Sequence, residues 1–480
     1  MGSGGIRAAM GEKSGEMARK PSVLMLILDF PRWETARPFS YSAALGFEDG
    51  LRQSGFDCTV LPLLGSLGPE SARRWIGQVE QAVRDQSFDQ VWIWLVHIAP
   101  PTEFLQWLKT LAPVRVGVVI ESLRYSAADV AIHPVFAERA DAFLAQLPYL
   151  THVLAFDEAD AEFLNQRGSA AALWCPCAIP ASFMRRPIPE VERQPEIAFY
   201  GTLYEKRQAF LSAPGLEGVI AFPPTAEEAT DLPERFDRVG LAAIARLEQP
   251  GKLNLLFLRE YQQSLRALRV ESFNLLLQHL ARWRGTVNLP SFFSGLTGRV
   301  FEAMAAGTPV ITWRIPERPG ANELFRNGIE IFQFDAEHPE TFVPLARLLA
   351  HEPEVGARMA HRAREKILRC HTAERRVAQV QSWIATGGVP DYGDPAPRHD
   401  PLDVERYLTE YHSDVAAGLA RLGQEARLSE ILGAITAQVQ LGDLPAATAL
   451  TLDSMVLYPQ IIELSEILAA LRSIGRGVSR

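Results

Sequence analysis

The sequence predicts an α/β protein built from two doubly wound parallel-sheet domains facing a cleft, with a helical extension at the carboxyl end. Three observations predict it. Short apolar runs alternate with amphipathic helical stretches from Pro21 to Ala178, the pattern of a parallel sheet covered on both faces. The alternation restarts at Glu196, after the proline-rich segment 179–195, and continues to Thr386. Inside that second round, residues 288–334 hold a polar, glycine-bearing loop, a short helix, a glycine stop and a buried strand, which is how an anion-binding edge is built in such sheets.

The elements follow from periodicity. PSVLMLILD (21–29) is a continuous apolar strand ending in Asp29, and a helix over 41–53 is stopped by Gly55. The pattern then gives a strand over 57–63, a helix near 71–84, a strand over 90–98, a helix over 102–111 and a strand over 114–120. After Glu121 a partly helical insertion runs to Leu147, and a strand over 151–156, a helix over 158–167 and a strand over 173–178 close the first round. The second round has strands at 196–200, 219–222, 286–289, 310–313 and 328–334, a helical region over 234–284, and closing helices at 339–351, 353–369 and 372–386. The expected organisation is a flexible leader (1–20), a first doubly wound domain (21–180), a linker (181–195), a second doubly wound domain (196–386), a linker (387–401) and a helical extension (402–480). Within the extension, GDLPAATALTLDSMVLYPQIIELSEIL resembles a single tetratricopeptide-like unit, read either as a cap or as a docking surface for a protein partner.

A chain of 480 residues, 47% hydrophobic and 22% charged, has material for two or three domains with real cores. The net charge of −9 argues against nucleic acid as the main partner. Cys58, Cys175, Cys177 and Cys370 are too few and too scattered for a disulfide framework, and Cys175-Pro-Cys177 has neither zinc-knuckle nor CxxC spacing. Free thiols and a cytoplasmic location are therefore expected. No apolar run reaches the roughly twenty residues of a membrane span.

Ser294, Gly295, Thr297 and Gly298 form the loop that leads into a helix from Arg299, whose first N–H groups would face outward and suit a diphosphate. Glu302 lies one turn further on, where an acceptor-only carboxylate suits a ribose diol, although a Glu there also simply favours the positive end of the helix dipole. A second arrangement of this kind is Gly201-Thr202-Leu-Tyr-Glu-Lys206-Arg207, glycine after a strand and then basic residues entering a helix. No Asp-x-Asp occurs, so no metal and no cofactor are expected; Lys206, Arg207, Arg299 and helix N–H groups would receive the diphosphate charge. Glu121, His97 and Asp29 follow or end apolar strands, where acid–base groups would line a cleft. Tyr204 and Trp313 could stack on a nucleobase or be ordinary core aromatics.

The string GLTGRVFEAMAAGTPVI, residues 295–311, closely resembles the donor-site signature of glycosyltransferases with the GT-B fold, above all the retaining family-four enzymes and the spore-maturation-type glycosyltransferase-like proteins. That resemblance implies that Glu302 is the second of two glutamates eight apart and binds the ribose of the nucleotide sugar. The first, which touches donor-sugar hydroxyls, is replaced by Ser294. It further implies a basic pair at Lys206 and Arg207 on the diphosphate, and donor contacts near Asn322 and Glu323. The implied activity moves a sugar from a nucleotide diphosphate donor to a protein, glycan or lipid-linked acceptor, with retention and with the departing phosphate taking the acceptor proton. Two alternatives stay open: a sugar-nucleotide epimerase or hydrolase, and a non-catalytic scaffold working through its carboxyl-terminal helices.

Overall fold

The computed structural model describes residues 19–37, 42–65, 67–95, 100–184, 192–224, 226–247, 249, 254–393, 428–457 and 462–478. The leader up to residue 18, the 96–98 end of the expected third strand, parts of both linkers and 402–427 of the extension lie outside them.

Among the described residues, eleven strands form two parallel sheets. The first holds β1 (Ser22–Asp29), β2 (Asp57–Leu64), β3 (Gln90–Trp94), β4 (Val114–Val119), β5 (His152–Ala155) and β6 (Ala171–Trp174) in the order β2-β1-β3-β4-β5-β6. The second holds β7 (Gln194–Ala198), β8 (Ile220–Ala221), β9 (Trp283–Asn288), β10 (Val310–Trp313) and β11 (Phe332–Phe334) in the order β11-β10-β9-β7-β8. The central strands read as unbroken apolar runs because helices cover both faces; β1 is buried from Val23 to Asp29 and β10 throughout. In each sheet the order turns back once, between β1 and β3 and between β7 and β9. Doubly wound sheets open a crevice at the carboxyl ends of the strands at such a point.

The two sheets share one continuous apolar core, and several elements cross between them. The helical region expected over 234–284 is two helices, Leu232–Leu247 and Leu255–Leu280. Both were expected to belong to the second domain, yet they pack on the first. The backbone N–H of Trp33 donates to Asp237 at 2.6 Å, Arg266 pairs with Glu48 (2.7 Å) and Asp49 (2.6 Å), and buried Arg269 pairs with Asp29. The last helix of the second round, Ala373–Thr386, likewise lies on Ser42–Gln53. Glycines make that approach possible: a Cβ on Gly46 would stand 2.4 Å from that of Ala373, and one on Gly50 2.6 Å from Val377 Cγ2. The range 196–386 drawn for the second domain thus includes helices that pack on elements of the first.

All four cysteines are free and buried. Among the described residues, no helix is long and apolar enough to cross a membrane. The final helices, Leu428–Gln440, Leu444–Leu457 and Ile462–Val478, have a small core of their own around Ile435, Ala447, Leu464 and Ile467, and Glu466 pairs with Arg362 of the Pro353–Cys370 helix.

Candidate active site

A cavity of about 310 Å³ lies where the carboxyl edges of the two sheets meet. Its walls come from both turning points. Leu28 and Phe30 at the end of β1, Trp94 of β3, Ile120 and Glu121 after β4 and Phe156 after β5 form one side. Phe199, Tyr200, Gly201 and Thr202 after β7, Val287 and Asn288 of β9, and Ser291, Phe293, Thr297, Gly298 and Arg299 form the other, with Tyr204 and Arg207 beside them.

On the second side the charge is positive. Arg207, in the first turn of the Glu205–Leu211 helix, is only 8% exposed and donates to the carbonyls of Thr202 (2.7 Å) and Pro290 (3.3 Å). Its guanidinium lies 4.4 Å from the centroid of the Tyr204 ring. Burial first, and the nearby Arg299 as a smaller contribution, lower its pKa, so the site holds two cations in each other's field. Thr297 is the N-cap of the Gly298–Ala305 helix, but its hydroxyl turns to Asn288 Oδ1 at 3.2 Å instead of capping the first turn. The helix tip therefore faces the cavity alongside Arg299. Gly307, at φ +71°, ends the helix as the sequence predicts, with Thr308 N–H donating to the carbonyl of Ala303 at 2.9 Å.

Of the expected site residues, the structure brings Glu121, Gly201, Thr202, Arg207, Thr297, Gly298 and Arg299 into the lining of one cavity, Glu121 from the first sheet and the others from the second. Others lie elsewhere. Glu302 is 0% exposed and sits behind Arg299, whose Nη1 is 2.8 Å from its Oε2. One turn into a helix that is buried from Val300 to Ala305, it reaches the cavity only through that arginine. Lys206 turns away to Asp129 at 2.9 Å, because the 121–149 insertion folds over the Glu205–Leu211 helix and offers it a carboxylate. Ser294 N–H donates to Ser122 Oγ at 2.9 Å and so fastens the loop to the first sheet, while Gly295 sits where a Cβ would stand 2.4 Å from the Phe293 ring of the same loop. Asn322 bonds Ile315 through both its amide groups, at 2.7 and 2.8 Å, and holds a turn; Glu323 is exposed and does not line the cavity. His97 lies outside the described residues. Trp313 is a buried core residue, whereas Tyr204 stacks on Phe292 at 4.6 Å and reaches the cavity.

The carboxylates along the first edge are all engaged. Asp29 pairs with Arg269, Glu121 with Arg139 at 2.7 Å, and Asp157 with Arg318 at 2.5 Å. Glu158 accepts from the backbone N–H groups of Gly320 and Ala321 at 3.0 Å, clasping the second sheet's loop. Sequence reasoning missed Phe30, Trp94, Phe156, Asn288 and Phe293 as wall residues. Asn288 had a legible signal, a polar residue closing an apolar strand just before the glycine-bearing loop.

Among the described residues, no group of three or more His, Cys, Asp or Glu comes together in a way that could hold a metal ion.

Residues 260–382 match a family model described as glycosyl transferase-like. No curated protein sequence matches the chain. Among solved structures, Anabaena HepE in complex with UDP and glucose is similar at 12% identity and a TM-score of 0.45, over 77% of this chain and 100% of that one. The sucrose-phosphate synthase of Thermosynechococcus elongatus is similar at 12% identity and 0.49, over 76% and 98%. The UDP-forming α,α-trehalose-phosphate synthase of Burkholderia vietnamiensis is similar at 13% and 0.44, over 77% and 100%. The match to the glycosyl transferase-like model falls on the 288–313 loop, helix and strand, in a chain whose two doubly wound sheets meet at their carboxyl edges, which is the GT-B arrangement.

Proposed function

We propose that this protein is a glycosyltransferase that moves a sugar from a nucleoside diphosphate donor to an acceptor hydroxyl, with retention, without a metal, and in the cytoplasm. One observation carries the reading: Arg207, Arg299 and the tip of the Gly298–Ala305 helix converge on one cavity between the two sheets. A diphosphate seated there relieves the repulsion between the two guanidiniums and later leaves with its charge already stabilised. Glu302 holds Arg299 in position. Glu121, on the opposite edge, faces the space left for the sugar, and Arg139 fixes its carboxylate at 2.7 Å.

The test is calorimetry with UDP and GDP, followed by a panel of nucleotide sugars. Removal of a charged hydrogen bond is worth about 1.5–3 kcal/mol, so Arg207→Ala and Arg299→Ala should each weaken diphosphate binding roughly ten- to hundredfold. Unchanged affinity in folded variants overturns the assignment. Activity lost in EDTA and restored by manganese overturns metal independence.

A further inference from the structure

The first-sheet side of the cavity points to the acceptor. β1, β3, β4 and β5 are neighbours in that sheet, so their carboxyl ends make one continuous rim. Among the described residues, the apolar side chains that line the cavity from this rim include Leu28, Phe30, Trp94, Ile120 and Phe156, with Phe293 on the opposite loop. Carboxylates do stand along this rim, but Asp29 and Asp157 are turned onto arginines from the second half of the chain and Glu121 is held by Arg139. Glu121 is thus the one charged side chain that the described residues of this wall present to the cavity. A saccharide acceptor carries several hydroxyls, each of which must exchange water for a protein partner on binding, and the described residues of this wall present few polar side chains to it. Aromatic faces and aliphatic chains instead suit a flat apolar body with a single polar end.

We propose that the acceptor is a hydroxyl borne on an aromatic ring, a phenol or aryl alcohol, lying against Phe30, Trp94, Phe156 and Phe293 with its oxygen toward Arg299. The inference rests on the donor reading above and names the acceptor class for the same site. In the transfer, the acceptor oxygen forms the new bond to the anomeric carbon. The bond from that carbon to the β-phosphate oxygen breaks, its electron pair leaves with the nucleoside diphosphate, and the acceptor proton passes to the departing phosphate oxygen.

The experiment uses the full chain and first fixes the donor by calorimetry with the nucleoside diphosphate alone, so that failure of donor binding is read separately. With the best nucleotide sugar, 4-nitrophenol, 4-methylumbelliferone and benzyl alcohol are then set against glucose, maltose and glycerol, and the products are weighed by mass spectrometry. Glycoside formation on the aromatic alcohols, at least tenfold faster than on the saccharides, is the expected result. Ala44→Asp, which puts a charge into this wall from the Ser42–Gln53 helix, should lower aryl transfer tenfold or more and leave nucleoside diphosphate affinity unchanged. Transfer to saccharides with none to the aromatic alcohols, in a chain that binds the diphosphate, overturns the proposal. So does an Ala44→Asp variant that binds the diphosphate normally and keeps full aryl transfer.

Discussion

Arg318 reaches from the second sheet's loop to the fully buried carboxylate of Asp157 and holds both its oxygens, Nε to Oδ1 at 2.5 Å and Nη2 to Oδ2 at 3.1 Å. The residues stand 161 positions apart in the chain. Their pairing closes the same edge on which the cavity opens.

Breaking one partner of a buried pair strands the other charge and costs about 3–5 kcal/mol. Arg318→Ala should therefore lower the urea unfolding midpoint clearly. The double variant Asp157→Asn with Arg318→Met should recover much of the loss. An Arg318→Ala chain as stable as the parent would show that the clasp contributes nothing.

Asp160 is a further buried acid of this edge, and burial, with Asp157 adding to it, pushes its pKa up to about 7 from an ordinary 3.8. A carboxyl whose folded value is raised contributes stability that is complete below its unfolded value and is lost as pH rises through the folded one. Thermal midpoints should thus fall by a few degrees between pH 4 and pH 7 on this group's account and level off above that. Asp160→Asn, which can still accept from Leu123 N–H, should flatten that fall. Parallel pH profiles for the two chains would remove the assignment.

Two readings of Glu302 give different numbers. If it acts by holding Arg299, Glu302→Gln weakens UDP and inorganic pyrophosphate by the same factor, roughly tenfold. Direct contact with the ribose would instead weaken UDP alone. The ion pair at 2.8 Å leads us to expect the first pattern.

Gly240 sits inside the Leu232–Leu247 helix where a Cβ would lie 1.9 Å from the carbonyl oxygen of Pro31. In an exposed helix, Gly→Ala stabilises by about 1 kcal/mol. Here overpacking reverses the sign, with an expected loss of about 1–3 kcal/mol in denaturant unfolding.

The sequence made the sheets legible because their strands are buried on both faces: PSVLMLILD and VITW can hardly be anything else. Gly307 and the loop before Arg299 were legible for a local reason, since a helix stop and a helix tip are written in adjacent residues. Partnerships across the cleft were not. Nothing around Asp29 announces Arg269, which lies 240 positions away, and nothing around Lys206 announces Asp129. Those distant pairings decide which charged groups reach the cavity. Position at a strand end or helix start was therefore enough to nominate Asp29, Lys206 and Glu302 but not to orient them.

The return of the Ala373–Thr386 helix to the front of the molecule makes the two halves mutually dependent. Severed near residue 191, the amino-terminal half would expose the groove at Gly46 and Gly50. The carboxyl-terminal half would carry Val377, Val380 and Trp383, all buried in the intact chain, into water. Neither fragment should stay soluble alone, and co-expression of the two should restore a single particle.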